Sequence, residues 1–122
     1  MSDKPLAERL QVKGSRTLAV MGADDAQETA IGIKKQRADI AKADVVLLFA
    51  PNRKTLDAKL PKLLAKTALA AILWIAYPKL TSPLAGDLSR DTLRELGPDF
   101  GLDTVSQIAV DDDWSALRFK RV

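Results

Sequence analysis

Two continuous apolar runs constrain the fold of this chain more than any other feature. They are ADVVLLFAP from Ala43 to Pro51 and ALAAILWIAYPK from Ala68 to Lys79, and a lysine-bearing amphipathic segment lies between them. Each run has the length of a buried strand and lacks the alternation of a strand with one wet face, as a parallel sheet covered on both faces requires. The pattern therefore predicts a strand, a crossover helix and a second strand in an α/β fold.

Length and composition limit the chemistry that this fold can carry. The 122 residues suit one domain spanning residues 1–122, and the sequence contains neither cysteine nor histidine. Disulfides, thiolate nucleophiles and serine–histidine triads are thereby excluded, and the usual general base near neutral pH is missing. We therefore assign no catalytic residue and no metal ligand, and the balance leans against an enzyme.

Charge and hydropathy say little about partners. The net charge of +3 is a mild basic excess, so nucleic-acid binding is permitted but not favoured, and the lysines between Arg53 and Lys66 are explained by a solvated helix face. The longest apolar run, Ala68 to Tyr77, is far shorter than the roughly 20 residues that span a bilayer. We expect no membrane contact, no targeting segment and a cytoplasmic location.

The N-terminal half predicts a short helix, a strand and a second helix. Pro5 to Leu10 places apolar residues on one helical face, and Thr17 to Met21 is a short apolar strand ending at Gly22. Asp24 or Asp25 is suited to cap the helix that follows. Between Gln27 and Lys42 the pattern is weak, and it is interpreted as a short strand at Ile31 to Ile33 followed by helix.

The C-terminal half carries clearer signals for the ends of its helices and strands. A helix begins near Asn52, and Pro61 within it predicts a kink or two short helices. Ser89 caps a later helix that closes at Gly97, and two alternating segments around an aspartate turn predict a terminal hairpin, with strands at Val105–Val110 and Ser115–Val122. The alternation of strands and helices predicts a three-layer Rossmann-like sandwich with a mostly parallel sheet. The antiparallel C-terminal hairpin matches the end of the class I methyltransferase fold.

Five segments spread over nearly the whole chain carry a family resemblance: PLAERL, RKTLDAKLPKL, WIAYPK, GDLSRDTLRELG and DDDWSALRF. Together they resemble a bacterial family of uncharacterised proteins, a domain of unknown function. The resemblance implies the same Rossmann-like, methyltransferase-type order of elements and carries no established reaction.

The turn after the first strand is the first candidate for ligand binding. Gly22 lies where a nucleotide-binding loop would sit, although such loops normally carry several glycines. The carboxylates of Asp24 and Asp25 would repel a phosphate at the helix start, whereas they could bind a ribose or an amine. A tight turn with capping aspartates explains the same residues.

The other candidates follow the later strands. Pro51, Asn52 and Lys79 should lie at the carboxyl edge of the sheet with Gly22, because open α/β sheets bind ligands there. Trp114 and Ser115 begin the last strand, where the indole could stack on a flat ligand, although packing in the core or an interface is the better explanation. The three aspartates before them fit a hairpin turn better than a metal site.

The sequence therefore favours a non-catalytic small-molecule-binding or protein-interaction module on a degenerate methyltransferase-like fold, with no cofactor expected. One alternative is an enzyme that binds S-adenosylmethionine or a nucleotide, and another is a nucleic-acid-binding protein. If the last strand forms an exposed edge, we also expect a homodimer there.

Overall fold

The computed structural model describes residues 6–32 and 36–122. Within these ranges the chain forms four α-helices, a short 3₁₀ helix at Gly97–Phe100 and a five-stranded sheet. The helices are α1 (Leu6–Arg9), α2 (Asp25–Ile31), α3 (Arg53–Lys66) and α4 (Arg90–Leu96). The strands are β1 (Leu18–Met21), β2 (Val45–Phe49), β3 (Ile72–Pro78), β4 (Leu102–Ala109) and β5 (Trp114–Arg121).

The sheet has the order β1-β2-β3-β5-β4. The first three strands are parallel, and β5 runs antiparallel to both β3 and β4. The expected Rossmann-like sandwich, with a parallel sheet that ends in an antiparallel hairpin, is confirmed. The last strand is not an edge, however, because β5 lies between β3 and β4, and β4 takes the edge position.

Alternate side chains of the central strands face two separate apolar cores. Val46 and Leu48 of β2 pack with the leucines of α3 and with Leu93 of α4. Val45 and Leu47 face the opposite way, toward residues of α1 and α2. Burial on both faces explains why these strands appear as continuous apolar runs rather than alternating ones.

The connection from β1 to β2 changes faces of the sheet. After α2, the backbone pairs with β1 on its outer side, where the Leu18 N–H donates to the Gln36 carbonyl at 2.7 Å and the Ala38 N–H donates to the Leu18 carbonyl at 3.1 Å. Ala38 and Ile40 then pack on the α3 side before the chain enters β2. The helices that follow β1 and β2 thus lie on opposite faces of the sheet, α2 on the face of α1 and α3 on the other, and they diverge at the carboxyl ends of these two strands.

The structure of this connection differs from the strand and helix expected between residues 27 and 42. Ile31 belongs to α2, which ends at Gly32 with a left-handed φ of 69°, so the strand predicted at 31–33 does not begin there. Ile33 lies outside the described residues. The helix predicted to follow is also wrong, because residues 36–44 form turns around the pairing with β1.

Pro61 does not divide α3, so of the two expected outcomes, a kink or two short helices, the two short helices are excluded. The helix continues from Arg53 to Lys66 with Pro61 inside it. Leu56, Leu60 and Leu63 are buried, whereas Pro61 is exposed. The missing backbone donor therefore falls on the solvent side, where water can satisfy the carbonyl of the preceding turn.

Strand limits differ from the apolar runs. Residues 68–71 form a turn rather than strand, and Leu69 is 81% exposed. β4 begins at Leu102, three residues before the strand expected there. In the described ranges α3 is the longest helix, with 14 residues, and no helix is long and apolar enough to cross a membrane.

Candidate functional site at the carboxyl ends of the strands

Gly22 follows β1 at the carboxyl edge of the sheet, and the fold requires a glycine at this position. Its φ is +82°, and a Cβ placed on it would lie 2.7 Å from the carbonyl oxygen of Phe49 at the end of β2. Neither a left-handed backbone nor that close approach suits a residue with a side chain. The glycine thus lets the turn after β1 pass directly over the end of β2.

Of the two aspartates expected to cap α2, Asp24 is the one that does so. Its Oδ1 accepts from the Gln27 backbone N–H at 2.8 Å, and the Gln27 side chain accepts from the Asp24 backbone N–H at 2.8 Å. Both Asp24 and Asp25 are exposed. The turn after β1 therefore presents two carboxylates to solvent beside Gly22.

The start of α3 is covered by the loop that follows β3. Asn52 Oδ1 accepts from the Thr55 N–H at 2.8 Å, and Asp87 Oδ1 accepts from the Arg53 N–H at 2.7 Å. The same loop brings Gly86 against Pro51, whose carbonyl oxygen would lie 3.3 Å from a Cβ at position 86. Pro51 and Asn52 thus lie at the predicted edge of the sheet. The side chains of Asn52 and Asp87 already accept from backbone N–H groups at the start of α3.

A cleft of about 350 Å³ opens beyond the end of β3. It is bounded by β3, the start of α4 and the terminal hairpin. Polar and charged side chains from all three dominate its wall, which is lined by Tyr77, Lys79, Leu80, Thr81, Ser89, Arg90, Asp91, Gln107 and Ser115.

Tyr77 and Ser115 form the buried floor of this cleft. They face each other across the antiparallel pair β3–β5, and Tyr77 is 3% exposed. Burial raises the pKa of the Tyr77 phenol, while Arg90 and a hydrogen bond with Ser115 oppose that shift and Asp91 adds to it. The phenol is therefore neutral at physiological pH and serves as a hydrogen-bonding group.

Trp114 lies outside the cleft, on the opposite face of β5 from Ser115. It is buried, and its ring meets Phe49 edge to face with centroids 5.4 Å apart. The core packing that the sequence favoured for this indole is confirmed. In this position it supports the end of β2 beneath Gly22.

The aspartates before Trp114 form the predicted hairpin turn. Asp111 Oδ1 accepts from the backbone N–H groups of Asp113 and Trp114, each at 2.8 Å. Asp113 Oδ1 accepts from the Ser82 hydroxyl at 2.9 Å. Among residues 6–32 and 36–122, no group of three or more potential metal-ligating side chains converges.

Apart from Trp114, which packs in the core, the predicted site residues fall into two places along one edge. Lys79 and Ser115 line the cleft, whereas Gly22, Asp24, Pro51 and Asn52 lie at the ends of β1 and β2. Whether any of them binds a ligand stays a prediction. The sequence reasoning did not identify the cleft residues Tyr77, Ser89, Arg90 and Gln107, since their convergence depends on the register of β3, β4 and β5.

Comparison with known proteins identifies fold relatives only through structure. No family model and no curated protein sequence matches this chain. A ribosomal protein L11 methylase from Lactobacillus delbrueckii subsp. bulgaricus matches with a TM-score of 0.55 and 14% identity, over 93% of this chain and 73% of the methylase. An N,N-8-amino-8-demethyl-D-riboflavin dimethyltransferase from Streptomyces davawensis matches with a TM-score of 0.51 and 17% identity, over 96% of this chain and 46% of that protein.

A third similar structure carries a bound ligand. The magnesium protoporphyrin IX methyltransferase from Synechocystis, solved with SAH (S-adenosylhomocysteine), matches with a TM-score of 0.50 and 13% identity. The match covers 70% of this chain, which spans about 50% of that enzyme's length. At these identities the likeness establishes the methyltransferase-type fold.

These neighbours correct two expectations from the sequence. The preference for a non-catalytic module is contradicted, because the three similar structures described above are those of methyltransferases. The expectation that no cofactor is involved is not supported either, since one of them holds SAH. The resemblance to an uncharacterised bacterial family has no support from a family model, whereas the fold that it implied is confirmed.

Proposed function

We propose that this chain is the S-adenosylmethionine-binding core of a methyltransferase-type enzyme. The observation that carries this proposal is the sheet, whose fold matches a methylase over 93% of the chain. The helices that follow β1 and β2 lie on opposite faces of this sheet, and open α/β sheets bind ligands at the carboxyl ends of two strands that diverge in this way, a place that we call the crossing point. The cofactor would lie over the ends of β1 and β2, and the methyl acceptor would enter the neighbouring cleft.

The residues at the crossing point fit the charged part of this cofactor. S-adenosylmethionine carries a sulfonium, an ammonium and a carboxylate group and so has a net positive charge, and the turn after β1 presents the exposed carboxylates of Asp24 and Asp25. Opposite charges a few ångströms apart attract, whereas the same carboxylates would repel the phosphates of a nucleotide. This charge pattern favours S-adenosylmethionine over the nucleotide alternative.

The cleft supplies groups that can hold an acceptor. When bound, S-adenosylmethionine would supply an electrophilic methyl group. Tyr77 and Ser115 provide buried hydroxyls, and Lys79 and Arg90 provide positive charge at the same opening. Because burial raises the pKa of Tyr77, its neutral phenol orients the acceptor by hydrogen bonding and does not act as a general base.

Binding by isothermal titration calorimetry tests the cofactor assignment. The wild-type protein should bind S-adenosylmethionine and SAH saturably, and ATP more weakly than either. Asp24→Asn should weaken S-adenosylmethionine binding about fivefold, from the loss of a charge interaction of about 1 kcal/mol. Asparagine caps helices as well as aspartate does, so the fold should keep its stability.

Asp99→Asn provides the matched control, because Asp99 is an exposed carboxylate in the 3₁₀ helix rather than at the crossing point. It should bind S-adenosylmethionine as tightly as the wild type. No saturable binding of S-adenosylmethionine or SAH by the wild type would reject the proposal. Tighter binding of ATP would replace it with the nucleotide alternative.

The cytoplasmic location, the single domain and the homodimer stay predictions of the sequence. The dimer was expected only if the last strand formed an edge, and that condition is not met because β5 is internal. The open edge belongs to β4, where Val105 is 48% exposed.

A further inference from the structure

Arg118 carries a buried polar atom that nothing in the described chain satisfies. It lies on β5 opposite Trp74 of β3. Its Nε is buried and has no hydrogen-bond partner among residues 6–32 and 36–122. Buried donors in native proteins almost always have a partner, and an orphaned one on a charged group is costly. The missing acceptor therefore calls for an explanation.

The surroundings of Arg118 identify the chemistry of that acceptor. Arg118 lines a cleft of about 370 Å³ at the amino ends of the strands, the opposite edge from the methyltransferase-type site. Three of its lining side chains are cationic and one is anionic. The wall consists of Arg16, Lys42, Ala43, Asp44, Ala68, Ala70, Ala71, Ile72 and Arg118.

The single carboxylate in this wall is engaged elsewhere. Asp44 Oδ2 accepts from the Thr17 backbone N–H at 3.0 Å and from the Thr17 hydroxyl at 3.4 Å. Those bonds fix the start of β2 against the start of β1. The Asp44 carboxylate is therefore hydrogen-bonded to Thr17, and the cleft keeps an excess of positive charge around the Arg118 guanidinium.

We propose that this cleft binds the phosphate group of a small phosphorylated ligand. A phosphate offers several acceptor oxygens, and arginine binds it with paired N–H donors. Its oxygens would accept from the Arg118 guanidinium, whose Nε is closed to solvent in the unliganded protein and would have to turn toward the cleft, while Arg16 and Lys42 would balance the remaining charge. Aromatic side chains for stacking on nucleic-acid bases are sparse, at 5% of the chain, so an isolated phosphoryl group is favoured over a single strand. This site is independent of the proposed cofactor site.

Phosphate binding can be measured on the intact protein with inorganic phosphate and pyrophosphate as probes. At constant ionic strength, pyrophosphate should bind saturably and raise the melting temperature, because it binds the folded state. In Arg118→Met the apolar stem is kept and the guanidinium is removed, and we expect at least tenfold weaker binding. The Arg118 Nε–H resonance of the wild type should shift on titration.

Two further variants keep the test decisive. Lys42→Gln changes an exposed side chain, so it should fold normally and bind pyrophosphate several-fold more weakly even if Arg118→Met is poorly folded. Arg94→Met removes an exposed arginine from α4, outside this cleft, and should bind like the wild type. Equal loss of binding in Arg94→Met would mean that the effect is nonspecific charge and would overturn the proposal.

A competition arm distinguishes the source of the phosphate. A short single-stranded oligonucleotide that binds and is displaced by pyrophosphate would place a nucleic-acid phosphate in the same site and overturn the small-ligand assignment. Pyrophosphate binding without oligonucleotide binding would support it. No response to pyrophosphate beyond that to chloride of equal ionic strength would reject the site altogether.

Discussion

Replacing Gly22 by alanine tests whether the close passage of the β1 turn over β2 holds the edge together. The new Cβ would lie 2.7 Å from the carbonyl oxygen of Phe49, a backbone atom inside the sheet. Relief therefore requires movement of β2 or of the turn, since no flexible side chain can yield. Alanine would also have to adopt a φ of +82°.

Both costs, the backbone strain and the steric clash, lower the free energy of unfolding. A left-handed backbone costs a residue with a side chain about 1–2 kcal/mol. Overpacking in a close-packed region adds about 1–3 kcal/mol. Gly22→Ala should therefore lower the free energy of unfolding by about 2–5 kcal/mol, a large part of the roughly 5–15 kcal/mol that stabilises a typical domain.

Urea denaturation followed by tryptophan fluorescence provides the measurement, because both indoles are buried. Gly14→Ala is the matched control: its φ is +59° and a Cβ there meets nothing within 4 Å. It should show the backbone strain alone, about 1–2 kcal/mol. If Gly22→Ala costs no more than Gly14→Ala, the close approach to Phe49 does not constrain the edge and the reasoning is refuted.

Three other substitutions have defined outcomes. Pro61→Ala should raise the free energy of unfolding by about 1–3 kcal/mol, and with it the urea midpoint, because proline inside a helix is about 3 kcal/mol less favourable than alanine. An unchanged midpoint would contradict this. Trp74→Phe loses the 2.9 Å bond from the indole Nε1–H to the Leu10 carbonyl, so the same assay should show a loss of about 1–3 kcal/mol, and a smaller loss would mean that water replaces the bond. Burial raises the pKa of Tyr77, so the stability this contributes is present below about pH 10 and is lost as pH rises through the folded-state pKa. Tyr77→Phe should remove that loss of stability at alkaline pH. The chain has one tyrosine, so in the wild type the phenolate absorbance should rise at a higher pH in the folded than in the unfolded protein.

Local signals were sufficient for the framework of this fold. Asp24, Asn52 and Ser89 all cap the helices predicted for them, because capping depends on residues two or three positions away. The apolar runs around Val45 and Ile72 likewise gave the buried parallel strands. What the sequence could not give was the path between α2 and β2, where backbone pairing with Leu18 outweighs the weak local pattern.

The candidate site was only partly predictable for a similar reason. The edge at Gly22 and Lys79 follows from strand order and the carboxyl-end rule. The cleft instead depends on the insertion of β5 between β3 and β4, which sets Ser115 opposite Tyr77. That neighbour relation joins residues distant in sequence, and no local pattern encodes it.

The internal position of β5 also restricts the order in which the sheet can be completed during synthesis. A nascent chain that has reached only the end of β4 can assemble β1, β2 and β3, but its β3 edge has no partner and β4 has nothing to join. Unpaired strand edges of this kind are open to association with other chains. Once β5 leaves the ribosome, it pairs with β3 on one side and with β4 on the other. Arg121 of β5 then donates to the Leu64 carbonyl at the end of α3 at 2.8 Å. β5, the last of these elements to be synthesised, thus joins β4 to the parallel strands of the sheet.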